Sequence, residues 1–187
     1  MITLDLPDTK TRNKLSLRPA GSDASEHFSP QRLPALRAFL RRARSAVGLV
    51  GQVSILLTTD RTLRRLNREF CGKDKPTDVL SFPAAKIPGE KKSSAMAGDL
   101  AISLDTAARQ ARSFHHSQEI EIRILVLHGL LHLAGYDHEV DDGEMAGREE
   151  QLRRRFRLPT SLIARVQPAK SEKSAQPAKS AHRRGRP

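Results

Sequence analysis

Three histidines carry the chemistry that this chain can do. His128, His132 and His138 stand in the spacing H-x-x-x-H-x-x-G-x-x-H within SQEIEIRILVLHGLLHLAGYDH, residues 117–138. Residues four apart on a helix lie on one side, one turn above the other, so His128 and His132 can offer two imidazole nitrogens to one ion. Gly135 allows the left-handed turn that ends the helix and sends the chain back, which lets His138 add a third nitrogen. Three protein nitrogens with one open position is the arrangement of catalytic zinc; structural zinc closes all four corners with protein ligands. A lone histidine is more often an ordinary surface or core group, and His27, His115, His116 and His182 are read that way.

Glycine included, this spacing is the ligand frame of the metzincin zinc sites. A zinc peptidase carries Glu directly after the first histidine, as the base that deprotonates the metal's water. Here that residue is Gly129, so peptide hydrolysis ranks low. Zinc on three neutral imidazoles would itself bring the pKa of its water to about 7. Two routes to a phosphodiester are then open: direct attack by that hydroxide, or attack by an RNA 2′-OH while zinc polarises a phosphoryl oxygen. A 2′,3′-cyclic phosphate product would exclude the first. Asp137, Asp141, Asp142 and Glu144 are close enough in sequence to accept from the ligands' other ring nitrogens, although the last three read first as helix-start or surface carboxylates. Tyr136 and Met145 are assigned to packing.

The element that must hold the first two histidines is one long helix. Ser117 caps it, Glu119 and Glu121 favour its positive N-terminal end, and Ile120, Ile124, Leu127 and Leu131 give it one buried apolar face. Upstream, residues 2–6 and 14–18 read as short strands around a polar loop at 19–30. Ser29 and Pro30 start a helix with Leu33, Leu36, Leu40, Ala43 and Val47 inward and Arg37, Arg41, Arg42 and Arg44 on its other face. Gln52–Thr58 is a strand; Thr59 or Asp60 caps a helix with Leu63, Leu66 and Phe70 inward. Thr77–Phe82 and Gly98–Leu104 are strands separated by a polar loop at 84–97. Asp105 caps a short helix through Phe114, and a charged helix runs from about Asp142 to Arg157. Strands first and helices gathered late point to an α+β fold: a single domain with a small mixed sheet packed by helices, and a metzincin-like zinc helix and turn. The domain is expected over 1–166. Over 167–187, QPAKS recurs in a Pro/Ala/Lys/Ser tract without apolar periodicity, which reads as a basic disordered tail.

A net charge of +12 suggests a polyanionic partner. The tail holds six Lys/Arg against one Glu, which leaves +7 for the remainder. With no Trp and one Tyr, phosphate and shape recognition is expected rather than an aromatic platform. A single Cys, no leader-like N-terminus and no run near the ~20 apolar residues of a membrane span make the expected location cytoplasmic, without membrane association.

With NREFCGKDKPTDVLSFP (67–83), GDLAISLD (98–105) and HGLLHLAGYDH (128–138) in view, the chain resembles the YbeY family of bacterial zinc-dependent endoribonucleases. The matching motifs span most of 53–157 in the family's order. The resemblance implies an α+β domain binding one Zn2+ through His128, His132 and His138, with no small-molecule cofactor. It further implies a single-strand-specific endoribonuclease whose partners are ribosomal RNA and ribosomal particles, acting in 16S rRNA 3′-end maturation and ribosome quality control. The family commonly carries Arg, held important for RNA processing, where this chain has Cys71. Cys cannot offer a guanidinium fork to phosphate, so Arg68 or Lys73 takes that part, activity is reduced, or Cys71 is a buried apolar residue. Lys73 and Lys75 are the candidate phosphate clamps, with Arg68 beside them in sequence. The rival reading is a non-catalytic, zinc-stabilised rRNA-binding assembly factor, and a metalloendopeptidase-like hydrolase comes third.

Overall fold

The computed structural model describes residues 1–4, 28–85, 96–138 and 140–159. The sequence expectations for the strand at 14–18, for most of the loops at 19–30 and 84–97, and for the 167–187 tail lie outside the described residues, as do His27 and His182.

Among the described residues, four strands form one mixed sheet: β1 (Ile2–Leu4), β2 (Gln52–Thr58), β3 (Val79–Pro83) and β4 (Met96–Ser103), in the order β1-β2-β4-β3. β2 runs parallel to both β1 and β4, and β3 pairs antiparallel with β4 as an edge strand. β2 has the predicted bounds. β4 starts earlier and ends one residue sooner than expected, because Ser103, not Asp105, caps the next helix by accepting from the Thr106 amide at 3.1 Å.

Among the described residues, five α-helices accompany the sheet. A 3-10 turn at Pro30–Arg32 leads into α1 (Leu33–Val47), which buries Leu36, Phe39, Leu40, Ala43 and Val47. Ser29 precedes the turn with no side-chain cap bond. Thr59 caps α2 (Asp60–Cys71), accepting from the Thr62 amide. In α2 Leu63 and Asn67 are buried, but Phe70, expected to face inward, is 62% exposed. It lies on the helix's last turn, where the chain leaves the sheet for the loop at Gly72. The remaining helices are α3 (Leu104–Ser113), α4 (Gln118–Leu133) and α5 (Glu144–Phe156); the last starts two residues later than expected.

α4 is the centre of the molecule. Ser117 caps it as predicted, accepting from the Ile120 amide. The single apolar face expected of it is not what forms. Ile122, Ile124, Leu125, Val126, Leu127, Leu130 and Leu131 are all buried, on every side of the helix. β3 and β4 cover one flank, and α1, α3 and α5 cover the others. A helix that is apolar all round is a core helix. This one places its histidines at the end of the best-packed element in the fold.

Candidate metal centre

His128 and His132 sit on the last two turns of α4, and the chain then turns through Gly135 at φ +95°. That left-handed conformation costs a side chain with a Cβ roughly 1 kcal/mol or more, and glycine nothing. The turn brings His138 back over the helix end. The ligating atoms of the three imidazoles lie within 4.8 Å of one another. His128 is buried, and His132 and His138 are half-buried. The His128 and His132 Nε2 atoms are 3.1 Å apart, and the ring centroids of the triad are separated by 4.7 to 5.3 Å. Two nitrogens each about 2.0–2.1 Å from one ion, at a tetrahedral angle, stand about 3.3 Å apart. The pair already has nearly that spacing.

Protonation favours the same role. The Glu149 carboxylate, on α5, lies 3.3 Å from His128 Nδ1 with both side chains almost fully buried. A carboxylate can only accept, so Nδ1–H donates to it and the Nε2 lone pair faces the triad. The pKa of His132 is held below the ordinary imidazole value, chiefly by burial and then by His128 and His138 beside it. The charge of Asp137 and a hydrogen bond to the Tyr136 backbone oppose this without reversing it. Three imidazole nitrogens this close together can share one cation. The donor set therefore fits a borderline metal such as zinc.

Glu149 is the partner of His128 that sequence reasoning missed; the candidate acceptors there are Asp137, Asp141, Asp142 and Glu144. A signal was there: Glu149 comes four residues after buried Met145 and three before buried Leu152, so it is a carboxylate on the apolar face of α5. A buried charge of that kind needs a partner. Asp141 instead ties down the start of α5, accepting from the Gly143 and Met145 amides at 2.8 and 2.9 Å. Asp142 and Glu144 are exposed. Tyr136 packs against the core as assigned, and Met145 is fully buried. His116, read as an ordinary satisfied histidine, pairs through Nε2 with the buried carboxylate of Glu121 at 3.0 Å.

Gly129 faces the sheet. A Cβ there would meet Leu100 Cδ2 at 2.7 Å, and Leu100 Cδ1 and Ser81 Oγ at 3.2 Å. Any side chain at the position that holds a peptidase's glutamate would have to displace the buried Leu100 side chain. The other predicted residues are not joined to the triad. Arg68 at the end of α2, and Lys73 and Lys75 in the loop before β3, are exposed, and among the described residues no hydrogen bond links them to the histidines. Cys71 is exposed too, which removes the reading of it as a buried apolar residue.

Comparison with known proteins adds to this geometry. A family model described as "Endoribonuclease YbeY" matches residues 24–157. A Koribacter versatilis protein named Endoribonuclease YbeY is 51% identical over 150 residues, covering 80% of this chain and 89% of that one. A Solibacter usitatus protein of the same name is 50% identical over 151 residues, covering 80% and 97%. A solution structure of a Thermotoga maritima protein is 26% identical, with a TM-score of 0.46 over 84% of this chain and 92% of that one. Among the described residues no helix is long and apolar enough to cross a membrane.

Proposed function

Because the chain belongs to the YbeY family of endoribonucleases, we propose that it is a zinc-dependent endoribonuclease cutting single-stranded RNA. The proposed setting is rRNA processing, including 16S rRNA 3′-end maturation, and ribosome quality control in the cytoplasm. One observation carries the reading: three imidazoles converge at the end of a rigid core helix, two of them with Nε2 atoms 3.1 Å apart. His128, His132 and His138 would hold the ion, and Glu149 fixes the tautomer and orientation of His128. When bound, zinc supplies Lewis acidity toward a phosphoryl oxygen and the acidification of water at neutral pH.

The chain's own groups do the rest. Burial keeps His132 neutral and its lone pair available. Gly129 lets α4 pack closely on Leu100 of β4 and Ser81 of β3, which fixes the helix that carries His128 and His132. Arg68, Lys73 and Lys75 are the proposed contacts to the RNA backbone. Their exposure suits phosphates that remain partly hydrated.

The non-catalytic alternative keeps one observation in its favour. Cys71 is exposed where the family commonly presents Arg, so a cation is missing from an accessible place. Metal analysis coupled to cleavage of a structured rRNA fragment separates the two readings. As a catalyst, the wild-type chain carries one zinc and cuts, and His132→Ala stops cutting while keeping its fold and RNA affinity. Loss of stability together with RNA affinity, or no cutting by the zinc-loaded wild type, would favour the assembly factor. Mapping the product ends then tells a 2′-OH nucleophile from water.

A further inference from the structure

Phe70 is the most exposed phenylalanine among the described residues, ahead of Phe114 at 44%. It is 62% exposed at the end of α2, with its ring centroid 5.3 Å from that of Phe82 and an interplanar angle of 71°. An edge-to-face contact occupies at most one face of the Phe70 ring, so another face meets solvent. A single exposed hydrophobe is ordinary on a protein surface; three features set this one apart.

The first is a pair of cations just beyond it in the chain. Lys73 and Lys75 are exposed, and among the described residues neither ammonium has an ion-pair partner. The second is that their loop is anchored rather than slack. Asn67 Nδ2 donates to the Lys75 carbonyl at 2.8 Å, the Lys73 amide donates to the Asn67 carbonyl at 3.2 Å, and Arg64 grips Asp74 through two bonds of 2.8 and 2.9 Å. The third is the ring's support: Phe82, against which it packs, lies on edge strand β3 in register with exposed Asp99, on the opposite face of the strand from Ser81, whose Oγ donates to the Gly129 carbonyl. A fixed, half-open aromatic ring beside two free cations has the chemistry of a single-strand contact: a π face for a base and positive charge for its phosphates.

We infer that Phe70 stacks an unpaired nucleobase of the RNA strand, with Lys73 and Lys75 holding the adjoining phosphates, at the end of α2 beside edge strand β3. This rests on the endoribonuclease reading above. It also makes the site selective for single strands, because a paired base offers no free face.

The test uses the full-length, metal-loaded chain in the cold. Short fluorescein-labelled oligoadenylate and oligouridylate are titrated by anisotropy, and strand integrity is checked on a gel afterwards. Loss of one stack lowers affinity by between about fivefold and a hundredfold. Phe70→Ala is expected to weaken oligoadenylate by about tenfold and oligouridylate less, since purines stack more strongly. Phe70→Trp restores binding, whereas Phe70→Leu, which keeps apolar bulk against Phe82, does not. Replacing Lys73 and Lys75 by Ala weakens both strands alike and flattens the salt dependence. Thermal unfolding of Phe70→Leu guards against a mere loss of fold. If the wild type binds and cuts while Phe70→Leu and Phe70→Ala bind both strands as tightly, stacking is overturned and the nuclease stands. A wild type that neither binds nor cuts overturns the endoribonuclease reading, and this inference with it.

Discussion

Gly129 offers the sharpest test of how the metal helix is held. Alanine in place of glycine within a helix ordinarily stabilises by about 1 kcal/mol. Here the new methyl would sit 2.7 Å from Leu100 Cδ2 and 3.2 Å from Ser81 Oγ. Leu100 is 1% exposed, so its side chain has nowhere to swing without disturbing packed neighbours. Forcing a methyl into a close-packed core costs about 1–3 kcal/mol. The propensity gain offsets part of this, and Gly129→Ala is expected to lose about 1 kcal/mol net. In a domain of this size that lowers Tm by about 2–4 °C. Leu100→Val, which removes the clashing Cδ atoms, should cost about 1 kcal/mol alone. In the double variant the two losses should fall short of their sum by about 1 kcal/mol, as expected for residues in direct contact. Thermal and urea unfolding of the four proteins measure the cycle. A Gly129→Ala protein more stable than wild type, or strictly additive losses, would refute the packing reason for this glycine. Gly129→Glu, which restores the peptidase pattern on paper, is expected to unfold the chain rather than confer proteolysis.

The remaining predictions concern charge. Glu149→Gln keeps the shape but removes the anion behind His128; zinc affinity, measured by chelator competition, should fall by about tenfold or more. An unchanged affinity would show that Glu149 does no more than fill space. Cys71→Arg returns a guanidinium to an exposed position. A charge-assisted contact of about 1.5–3 kcal/mol would raise cleavage of an rRNA fragment by about tenfold or more, and a rate equal to wild type would mean that Arg68 or Lys73 already supplies that contact. Asp60 joins the starts of α2 and α3. Burial works against its ionisation, but hydrogen bonds from Ser103, Thr106 and Arg109, together with the charge of Arg109, outweigh it and hold its pKa below 3.8. Because the folded value is depressed, its contribution is present above the unfolded value and is lost as pH falls through the folded one. Asp60→Asn should therefore cost about 1 kcal/mol at neutral pH, the low end for a partly exposed carboxylate. That difference should begin to shrink in unfolding curves near pH 3.8 and close only as the pH falls through the lower folded value.

What the sequence disclosed and what it withheld divide along one physical line. Features set by local chemistry read directly. Gln52–Thr58 is a strand because β-branched and aliphatic residues fill it between turns, and Ser117 caps α4 because its hydroxyl reaches the amide three residues on. The triad read for the same reason, since one helical turn and one glycine turn fix the spacing of three histidines. Features set by what arrives from elsewhere in the chain did not. The helical period put Phe70 with Leu63 and Leu66, but the period does not record that at the last turn of α2 only the edge strand, through Phe82, is there to meet the ring. The apolar residues of α4 were read as one stripe although they ring the helix, because its covering by five other elements is a tertiary fact. Glu149 was hidden by distance: its partner His128 lies 21 residues away. Gly129 shows the same limit from the other side. In the sequence it is a missing acid, a statement about chemistry; in the fold it is the place where α4 rests on Leu100, a statement about packing. A residue that reads as a missing catalytic group can thus be held in place by sterics alone, because the Leu100 and Ser81 side chains that crowd this position come from strands the helix sequence does not record.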